Sequence, residues 1–354
     1  MFKDIQKEEV MMHDDILEHT SQDDTRTLIR DKKVQMWGKE NELSVEAEYP
    51  KTIMFEVTNA CNLACKMCYH KDMKRKVGFM TEELYRKVIT EAKELGIENV
   101  ALYTTGEAFI HPKIFEFITI AKEAGMKYVY ITTNGQLLNE DKIMKLLNSG
   151  LDSIKFSIDS GAKESYEFIR VNAKWDTLVK NMQLLRKLRD ERKAKLGIFA
   201  SFVIMKENYD DLLNYNNVFG KLVDQTLFNI VSNQGSQVDD SSLPPEIDSK
   251  LEDIRLPKEK WKPCNLLWNR FIVNYDGTLT VCCVDFEAKL TYGDLNTSTL
   301  KECWNNDKLK SLRKIHLEKN FGMLPMCHDC DRIKMDTELR KSLLSEVLRL
   351  NNLS

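Results

Sequence analysis

Three cysteines lie close together in the stretch VTNACNLACKMCYH, at Cys61, Cys65 and Cys68. Thiolates are soft ligands that bind zinc or the iron of iron–sulfur clusters. A structural zinc ion or a fully ligated [4Fe–4S] cluster takes four protein ligands. The loop therefore predicts a metal site with one coordination position left for another group, and His70 would fill that position if the metal were zinc.

The other six cysteines all follow residue 260, at Cys264, Cys282, Cys283, Cys303, Cys327 and Cys330. Four thiolates from two distant segments, Cys264 with Cys282 and Cys327 with Cys330, fit either zinc or an iron–sulfur cluster. Cys303 lies on a predicted helix and is expected to be a small core residue. Cys283 follows Cys282 on a predicted strand, so the two side chains should face opposite ways.

Composition narrows the class of protein. The chain has 354 residues, a net charge of −3 and a pI near 6.2, which gives no general attraction for nucleic acid. No run of about 18 apolar residues occurs, and the first residues are too charged for a signal peptide, so we expect a cytoplasmic protein that does not span membranes. Cytosolic thiols stay reduced, which favours metal ligation over disulfides.

Strand-like runs alternate with helical runs along the first two thirds of the chain. The six strand-like runs are TIMFEV (52–57), NVALYT (99–104), YVYITT (128–133), SIKFSI (153–158), LGIFASFVIM (196–205) and TLFNIVS (226–232). Parallel neighbours need a helical crossover, so this alternation predicts an α/β fold, a partial (β/α)6 TIM-like barrel. The loops that follow the strands should meet at one rim, where barrels of this kind place their chemistry.

The predicted domain organisation has four parts. Residues 1–50 form an extension, residues 51–240 the barrel and residues 241–260 a linker rich in Pro, Ser and charge. Residues 261–354 form a small α+β cysteine-rich domain. It contains a hairpin with a two-residue turn at Asp276–Gly277 and an amphipathic terminal helix.

The CxxxCxxC loop placed directly after the first strand resembles that of the radical S-adenosylmethionine (SAM) superfamily. The resemblance implies that Cys61, Cys65 and Cys68 hold three irons of a [4Fe–4S] cluster, and that the methionine moiety of SAM chelates the fourth. Reductive cleavage of SAM then yields a 5′-deoxyadenosyl radical, which abstracts a hydrogen atom from the substrate.

Other strand-end loops resemble the SAM-binding motifs of this superfamily. TTGEA resembles the GGEP loop, although Thr105 replaces the first glycine and Ala108 the proline. FSIDS resembles the segment that contacts the ribose, and FIRVN the segment that supplies an arginine to the methionine carboxylate. The implied cofactor-binding residues are Met67 against the adenine, Thr105, Gly106, Glu107, Ser157, Asp159 and Arg170.

The C-terminal cysteines resemble the SPASM and Twitch auxiliary modules, whose opening pattern is matched by Cys264, Gly277 and Cys282. No cysteine follows Cys330, so the module resembles the shorter Twitch form. This implies one auxiliary [4Fe–4S] cluster held by Cys264, Cys282, Cys327 and Cys330.

The resemblance implies an oxidoreductase that acts on a sugar, cyclitol or similar polar small molecule by dehydrogenation or epimerisation. The auxiliary cluster would accept the electron, and a low-potential donor such as flavodoxin or ferredoxin would supply the SAM-binding cluster. Cys283 is a candidate hydrogen-atom donor to a substrate radical. Two alternatives stay open: a peptide- or protein-modifying enzyme with the same chemistry, and a zinc-binding protein without catalysis.

Overall fold

A computed structural model describes residues 43–238, 243–351 and 353. The predicted extension therefore lies largely outside the described residues, including its amphipathic stretch at 25–37. Residues 43–50 pack against the C-terminal part of the chain: the indole Nε1 of Trp304 donates to the carbonyl oxygens of Ala47 at 3.0 Å and Glu48 at 2.9 Å.

Nine strands of the described chain form one sheet, in the order β6-β5-β4-β3-β2-β1-β7-β8-β9. Strands β1 to β6 pair in parallel, β7 is parallel to β1, and β8 and β9 continue antiparallel. The strands are Thr52–Phe55 (β1), Asn99–Leu102 (β2), Tyr128–Thr133 (β3), Ser153–Ser157 (β4), Gly197–Ile204 (β5), Gln225–Ile230 (β6), Phe271–Val273 (β7), Thr278–Thr280 (β8) and Thr291–Asp294 (β9). This confirms the predicted α/β partial barrel, since all six predicted strands are present.

Helices connect the parallel strands, as the sequence pattern predicts, and four further α-helices of the described chain follow β9. They are Glu82–Glu94 (α1), Ile114–Glu123 (α2), Glu140–Asn148 (α3), Lys163–Ile169 (α4), Trp175–Glu191 (α5), Leu212–Phe219 (α6), Pro245–Ile254 (α7), Leu266–Asn269 (α8), Leu300–Trp304 (α9), Asp307–Leu317 (α10), Asp331–Lys334 (α11) and Thr337–Leu350 (α12). Thr81 caps α1 by accepting a hydrogen bond from the amide of Leu84 at 3.2 Å. No described helix has both the length and the apolar composition that a membrane crossing requires.

The barrel strands carry apolar residues on both faces, because side chains alternate along a strand. Ile53, Val100 and Ile131 belong to the large core between the sheet and the helices. Met54 and Ala101, at intervening positions, form a separate small cluster inside the barrel. Strands buried on both faces are typical of parallel sheets with helical crossovers.

The C-terminal hairpin extends the barrel sheet. Strand β7 pairs with β1 in the register Ile53↔Phe271 and Phe55↔Val273. The predicted two-residue turn at Asp276–Gly277 is wrong, because the amide of Gly277 donates to the carbonyl of Asn274 at 3.0 Å and three residues separate Asn274 from Thr278. Gly277 has a φ of +89°, which a glycine adopts without steric cost.

Three further details concern the C-terminal part. The predicted linker includes a helix, α7. Strand β8 ends at Thr280, so Cys282 and Cys283 lie in the turn after the strand and not on it, contrary to the prediction. Cys303 is 2% exposed on α9, which confirms its assignment as a core residue.

A buried carboxylate joins the barrel to the hairpin. Glu56, at the end of β1, is fully buried and pairs with Arg75. It also accepts hydrogen bonds from the Thr105 hydroxyl and from the amide of Tyr275 at 3.3 Å. Burial raises the pKa of Glu56, and Arg75 opposes that shift. The carboxylate therefore links three segments: the loop after β2, the loop that follows the three cysteines, and the hairpin.

We expect Glu56→Ala to lower the free energy of unfolding by about 3–5 kcal/mol, because it leaves the Arg75 guanidinium buried without its counter-ion. Urea unfolding followed by circular dichroism would measure the change. Glu82→Ala is the control, since Glu82 forms exposed ion pairs with Arg86 and Lys113 that contribute roughly 0–1 kcal/mol. Equal effects of the two substitutions would contradict the assignment.

Candidate functional site

The three-cysteine loop follows β1 and is fixed by backbone hydrogen bonds to the end of α4. The amide of Ala64 donates to the carbonyl of Val171 at 3.1 Å, and the amide of Lys66 donates to that of Ile169 at 2.9 Å. Within the loop, the amide of Cys68 donates to the carbonyl of Cys65 at 3.0 Å. The spacing of the cysteines is thus held by main-chain contacts on both sides.

Burial determines the ionisation of these thiols. It raises the pKa of Cys61 to about 12 and that of Cys68 to about 11, since a thiolate loses hydration there. The pKa of Cys65 also rises through burial, and the nearby Arg170 guanidinium opposes the rise. Thiolates at these positions need positive charge beside them, which ligated iron supplies.

Arg170 lies next to Cys65. Its Nη1 donates to Cys65 Sγ at an N–S distance of 3.7 Å, and its guanidinium forms a buried ion pair with Asp159. Asp159 adopts a φ of +59°, is fully buried, and accepts a second hydrogen bond from the amide of Val203 at 2.8 Å. Asp159 therefore orients Arg170, while its predicted contact to a ribose stays a prediction.

Glu107 is buried between the loops that follow β2 and β3. Its carboxylate accepts hydrogen bonds from the Thr133 hydroxyl at 2.8 Å, the Asn134 amide at 2.7 Å and the Phe109 amide at 3.2 Å. Burial raises the pKa of Glu107, and these hydrogen bonds oppose the rise. The carboxylate also interacts electrostatically with Cys61, which places it beside the cysteine loop.

Gly106 lies in close contact with the cysteine loop. A Cβ atom at this position would be 2.3 Å from the carbonyl oxygen of Thr58 and 2.6 Å from that of Ala60. The amide of Glu107 donates to the same Ala60 carbonyl at 2.8 Å. Thr105, which stands in place of the first glycine of the resembled motif, donates its hydroxyl to Glu56.

Met67 and Ser157, which are predicted to contact the cofactor, lie at the same rim of the barrel. Met67 is half-buried in the cysteine loop. Ser157 ends β4, in register with Ser201 of β5. The structure therefore brings the predicted SAM-binding residues together at the carboxyl ends of β1 to β4, and their individual contacts to SAM stay predictions.

His70 closely follows the third cysteine of the loop. Its Nε2 lies 2.7 Å from the carbonyl oxygen of Asn59 and therefore carries the proton of a hydrogen bond, which leaves Nδ1 as the ring nitrogen with an available lone pair. This contact is compatible with ligation through Nδ1, so the predicted zinc alternative stays untested by it. Among the described residues, no three His, Cys, Asp or Glu side chains lie close enough together to bind a single metal ion, and this applies to both cysteine groups. The cysteines of a [4Fe–4S] cluster bind different irons and therefore stand further apart than the ligands of one ion.

The four C-terminal cysteines gather at a second site. Cys282 interacts electrostatically with Cys264 and Cys330, and Cys327 with the same two residues. Burial raises the pKa of Cys282, Cys327 and Cys330, in the last case to about 11. The amide of Cys264 donates to Nδ1 of the buried His316 at 3.2 Å, which fixes the first of these four cysteines.

Cys283 faces away from this second site. It packs against the cluster of Met54, Ala101 and Ile272 inside the barrel, together with Tyr103 and Tyr130. The rings of these two tyrosines have centroids 5.7 Å apart. Adjacent cysteines at the hairpin end thus face two different sites, as the sequence predicts, although a turn and not a strand produces the arrangement.

Lys155 lies in the same interior chamber, which we define by Tyr103, Tyr130, Lys155 and Cys283. Its Nζ is 5.2 Å from the centroid of the Tyr103 ring. Strand pairing places Lys155 of β4 opposite Thr132 of β3, whose buried hydroxyl has no hydrogen-bond partner among the described residues. The interior chamber therefore combines two aromatic rings, a cation and a buried hydroxyl on one face of the sheet.

Several residues of the site were not singled out from the sequence. Tyr103 and Lys155 alternate with core positions, and the period of two marks them as inward-facing once the strands are known. Glu56 is the second-last residue of the first predicted strand, and Gln234 follows the sixth predicted strand in a polar loop. Nearness to the end of a strand was the available signal for Glu56 and Gln234, but the sequence does not show which strand-end residues meet.

The residues present fit a SAM-bound [4Fe–4S] cluster. Three thiols come from one loop, and Arg170 keeps a buried Nε without a partner among the described residues. Gly106 leaves room that any side chain would fill. The four C-terminal thiols likewise fit an auxiliary cluster with a complete protein ligand set.

Curated relatives resemble the chain at low identity. The tungsten-containing aldehyde ferredoxin oxidoreductase cofactor-modifying protein of Pyrococcus furiosus is 24% identical over 315 residues, which cover 79% of this chain and 87% of that protein. The S-adenosyl-L-methionine-dependent 2-deoxy-scyllo-inosamine dehydrogenase of Niallia circulans is 27% identical over 88 residues, covering 25% of this chain and 35% of the dehydrogenase.

Solved structures share the fold over most of the chain. BtrN in complex with AdoMet and 2-DOIA has a TM-score of 0.54 at 19% identity and covers 81% of this chain and 94% of BtrN. SuiB of Streptococcus suis bound to precursor peptide SuiA has a TM-score of 0.61 at 15% identity, covering 80% of this chain and 70% of SuiB.

Two family models match the chain, one for each of its cysteine groups. Residues 55–215 match the model described as the Radical SAM superfamily, and residues 264–331 match SPASM, an iron-sulfur cluster-binding domain. The first match contains the three-cysteine loop and the second begins at Cys264. The chain therefore belongs to the radical SAM superfamily and carries a C-terminal SPASM domain, with SAM and iron–sulfur clusters as its cofactors.

Proposed function

We propose that this enzyme abstracts a hydrogen atom from a polar small molecule bound in the interior chamber and completes its oxidation to a dehydrogenated product. SAM and its cluster supply the hydrogen-abstracting 5′-deoxyadenosyl radical, and one auxiliary [4Fe–4S] cluster supplies an acceptor for the electron that remains after the proton leaves. Cys61, Cys65 and Cys68 hold the first cluster. The auxiliary cluster is held by Cys264, Cys282, Cys327 and Cys330.

The observation that carries this proposal is that the adjacent residues Cys282 and Cys283 face two different sites. One side chain faces the auxiliary cysteines and the next faces the chamber residues Tyr103 and Tyr130. The auxiliary site therefore adjoins the chamber with no further domain between them. A fully ligated cluster offers a substrate no iron to bind, so electron transfer is the role that this proximity supports.

The chain's own residues bind and orient the cofactor in this proposal. Arg170 is held by Asp159 beside Cys65 and would pair with the methionine carboxylate of SAM. Glu107 and the backbone around Gly106 form the wall nearest Cys61. A low-potential protein such as flavodoxin or ferredoxin is the proposed electron donor.

The chamber supports a sugar, a cyclitol or a similar polar molecule as substrate. Its tyrosine rings offer flat apolar surfaces, while Lys155 and the Thr132 hydroxyl offer polar contacts. The sequence similarity to the 2-deoxy-scyllo-inosamine dehydrogenase of Niallia circulans supports a cyclitol or sugar as the substrate class. Anaerobic incubation with SAM and a panel of such molecules tests this, with 5′-deoxyadenosine and a product lighter by two hydrogens as the result expected.

A second candidate is modification of a peptide, which the fold similarity to peptide-bound SuiB supports. Incubation with a peptide panel under the same conditions separates the two candidates. Turnover of peptides alone would replace the first proposal, whereas the absence of SAM cleavage under reducing anaerobic conditions would overturn both.

Removal of the three loop cysteines should remove one cluster. We expect the triple substitution of Cys61, Cys65 and Cys68 by Ala to lower the iron content from about eight to about four atoms per chain and to abolish SAM cleavage. Iron analysis and chromatography of 5′-deoxyadenosine measure the two effects. Cys303→Ala is the control, because this core cysteine should leave both values unchanged.

Cys283→Ala distinguishes two outcomes of the same chemistry. For a dehydrogenase, turnover and product should persist, since the auxiliary cluster and not the thiol completes the reaction. For an epimerase, the variant should lose product inversion while 5′-deoxyadenosine still forms, because the hydrogen-atom donor is gone. Solvent deuterium in the product, measured by mass spectrometry, identifies the second case.

Lys155 is expected to bind the substrate. Lys155→Met should lower kcat/KM by about tenfold to a hundredfold, the loss expected for a charged hydrogen bond, and should leave substrate-independent SAM cleavage unchanged. Lys145→Met, on the exposed face of α3, is the matched control. A variant with unchanged kcat/KM would exclude Lys155 from the substrate site.

A further inference from the structure

The loop after β6 contacts segments of both cluster sites. We define the β6 loop as residues 233–237, which follow the end of β6 at Ile230. Gln234 and Ser236 have φ values of +46° and +61°, and Gly235 between them has +70°. Three successive residues with positive φ give the loop a specific shape, and its polar side chains point to different neighbours.

Gln234 binds the main chain on either side of Cys68. Its Nε2 donates to the carbonyl of Met67 at 2.9 Å, and its Oε1 accepts from the amide of Tyr69 at 3.1 Å. One side-chain amide thus satisfies a donor and an acceptor that flank the third ligand of the SAM-binding cluster. Glutamine is suited to this, since its side chain carries both groups.

Asn233 binds the main chain on either side of Cys330. Its Nδ2 donates to the carbonyl of Asp329 at 2.7 Å, and its own amide donates to the Asp331 carboxylate at 2.7 Å. Its Oδ1 accepts from the amide of Asp331 at 3.3 Å. Asn233 is 4% exposed, so these bonds are protected from water.

Gln237 connects the β6 loop to a third segment, the turn that contains Cys282 and Cys283. Its Nε2 donates to the carbonyl of Val284 at 2.6 Å, immediately after Cys282 and Cys283. It also donates to the carbonyl of Gln234 at 2.7 Å, which ties the two glutamines together. Three residues of this five-residue loop therefore contact the backbone beside Cys68 of the first predicted ligand set, beside Cys330 of the second, and beside Cys283.

We propose that the β6 loop is a positioning bridge that fixes the separation and orientation of the two cluster sites, with Gln234 as its principal residue. The role rests on the proposed function, because electron transfer between substrate and auxiliary cluster depends steeply on distance. The bridge keeps the site of hydrogen abstraction and the site of electron acceptance at a constant separation. Gln234 acts through the carbonyl of Met67 and the amide of Tyr69.

The test compares Gln234→Ala with Gln136→Ala. Gln136 is a matched control: its side-chain amide also binds main chain, donating to the carbonyl of Lys174 at 3.1 Å and accepting from its amide at 2.8 Å, but it joins two barrel segments away from the auxiliary cysteines. The holoenzyme of each variant is studied by hydrogen exchange, by electron paramagnetic resonance and by product analysis.

In Gln234→Ala, exchange at the Tyr69 amide should rise by about tenfold, since one protecting hydrogen bond is lost. The magnetic interaction between the two reduced clusters should change, because the distance between them is no longer fixed. More than one 5′-deoxyadenosine should form per oxidised product, whereas the wild type and Gln136→Ala should keep the ratio near one.

The bridge is excluded if Gln234→Ala matches the wild type in hydrogen exchange and in the magnetic interaction. It is also excluded if Gln136→Ala alters that interaction to the same extent, since the effect would then be a general loss of structure. Gln234→Glu gives a second variant: Glu can accept from Tyr69 but cannot donate to Met67, so a partial effect is expected. Failure of the proposed function appears separately, as missing SAM cleavage in the wild type.

Discussion

The parallel pairing of β1 with β7 determines how the two halves of this enzyme relate. Strand β1 pairs with β2 on one side and with β7 on the other, so a single sheet runs from the barrel into the SPASM domain. The amide of Glu56 donates to the carbonyl of Val273 at 2.8 Å and extends this pairing beyond the strand. The three-cysteine loop and the hairpin that carries Cys282 therefore begin from neighbouring strands.

Electrostatics at the rim are governed by burial. The Cys65 thiol and the carboxyl groups of Glu56 and Glu107 lose hydration there, which raises their pKa values. The guanidinium groups of Arg75 and Arg170 partly oppose this rise. Each cation has a defined partner: Arg75 pairs with Glu56 and Arg170 with Asp159. Burying such pairs costs desolvation energy, and both pairs lie at the rim that carries the three-cysteine loop.

Much of the fold could be predicted because its signals are local. The six strands and the capped helices between them follow from hydrophobic periodicity, from Thr81 as an N-cap and from glycines at helix ends. The turn at Gly277 was assigned one residue too short, since Asp-Gly fits a two-residue loop as well as the last positions of a three-residue loop. Cys282 and Cys283 were placed on a strand because the pairing that ends β8 at Thr280 is not local.

The sequence by itself indicated the chemistry: the loop of Cys61, Cys65 and Cys68 after the first strand resembles the SAM-binding cluster loop of the radical SAM superfamily, and four later thiols predict a second ligand set. Only the tertiary structure decided which residues surround these ligands. Tyr103, Lys155 and Cys283 come from three distant segments and meet because β2, β4 and the hairpin end lie around one chamber. The physical reason is that ligand spacing is encoded within a few residues, whereas contacts between strand ends depend on register and twist across the whole sheet.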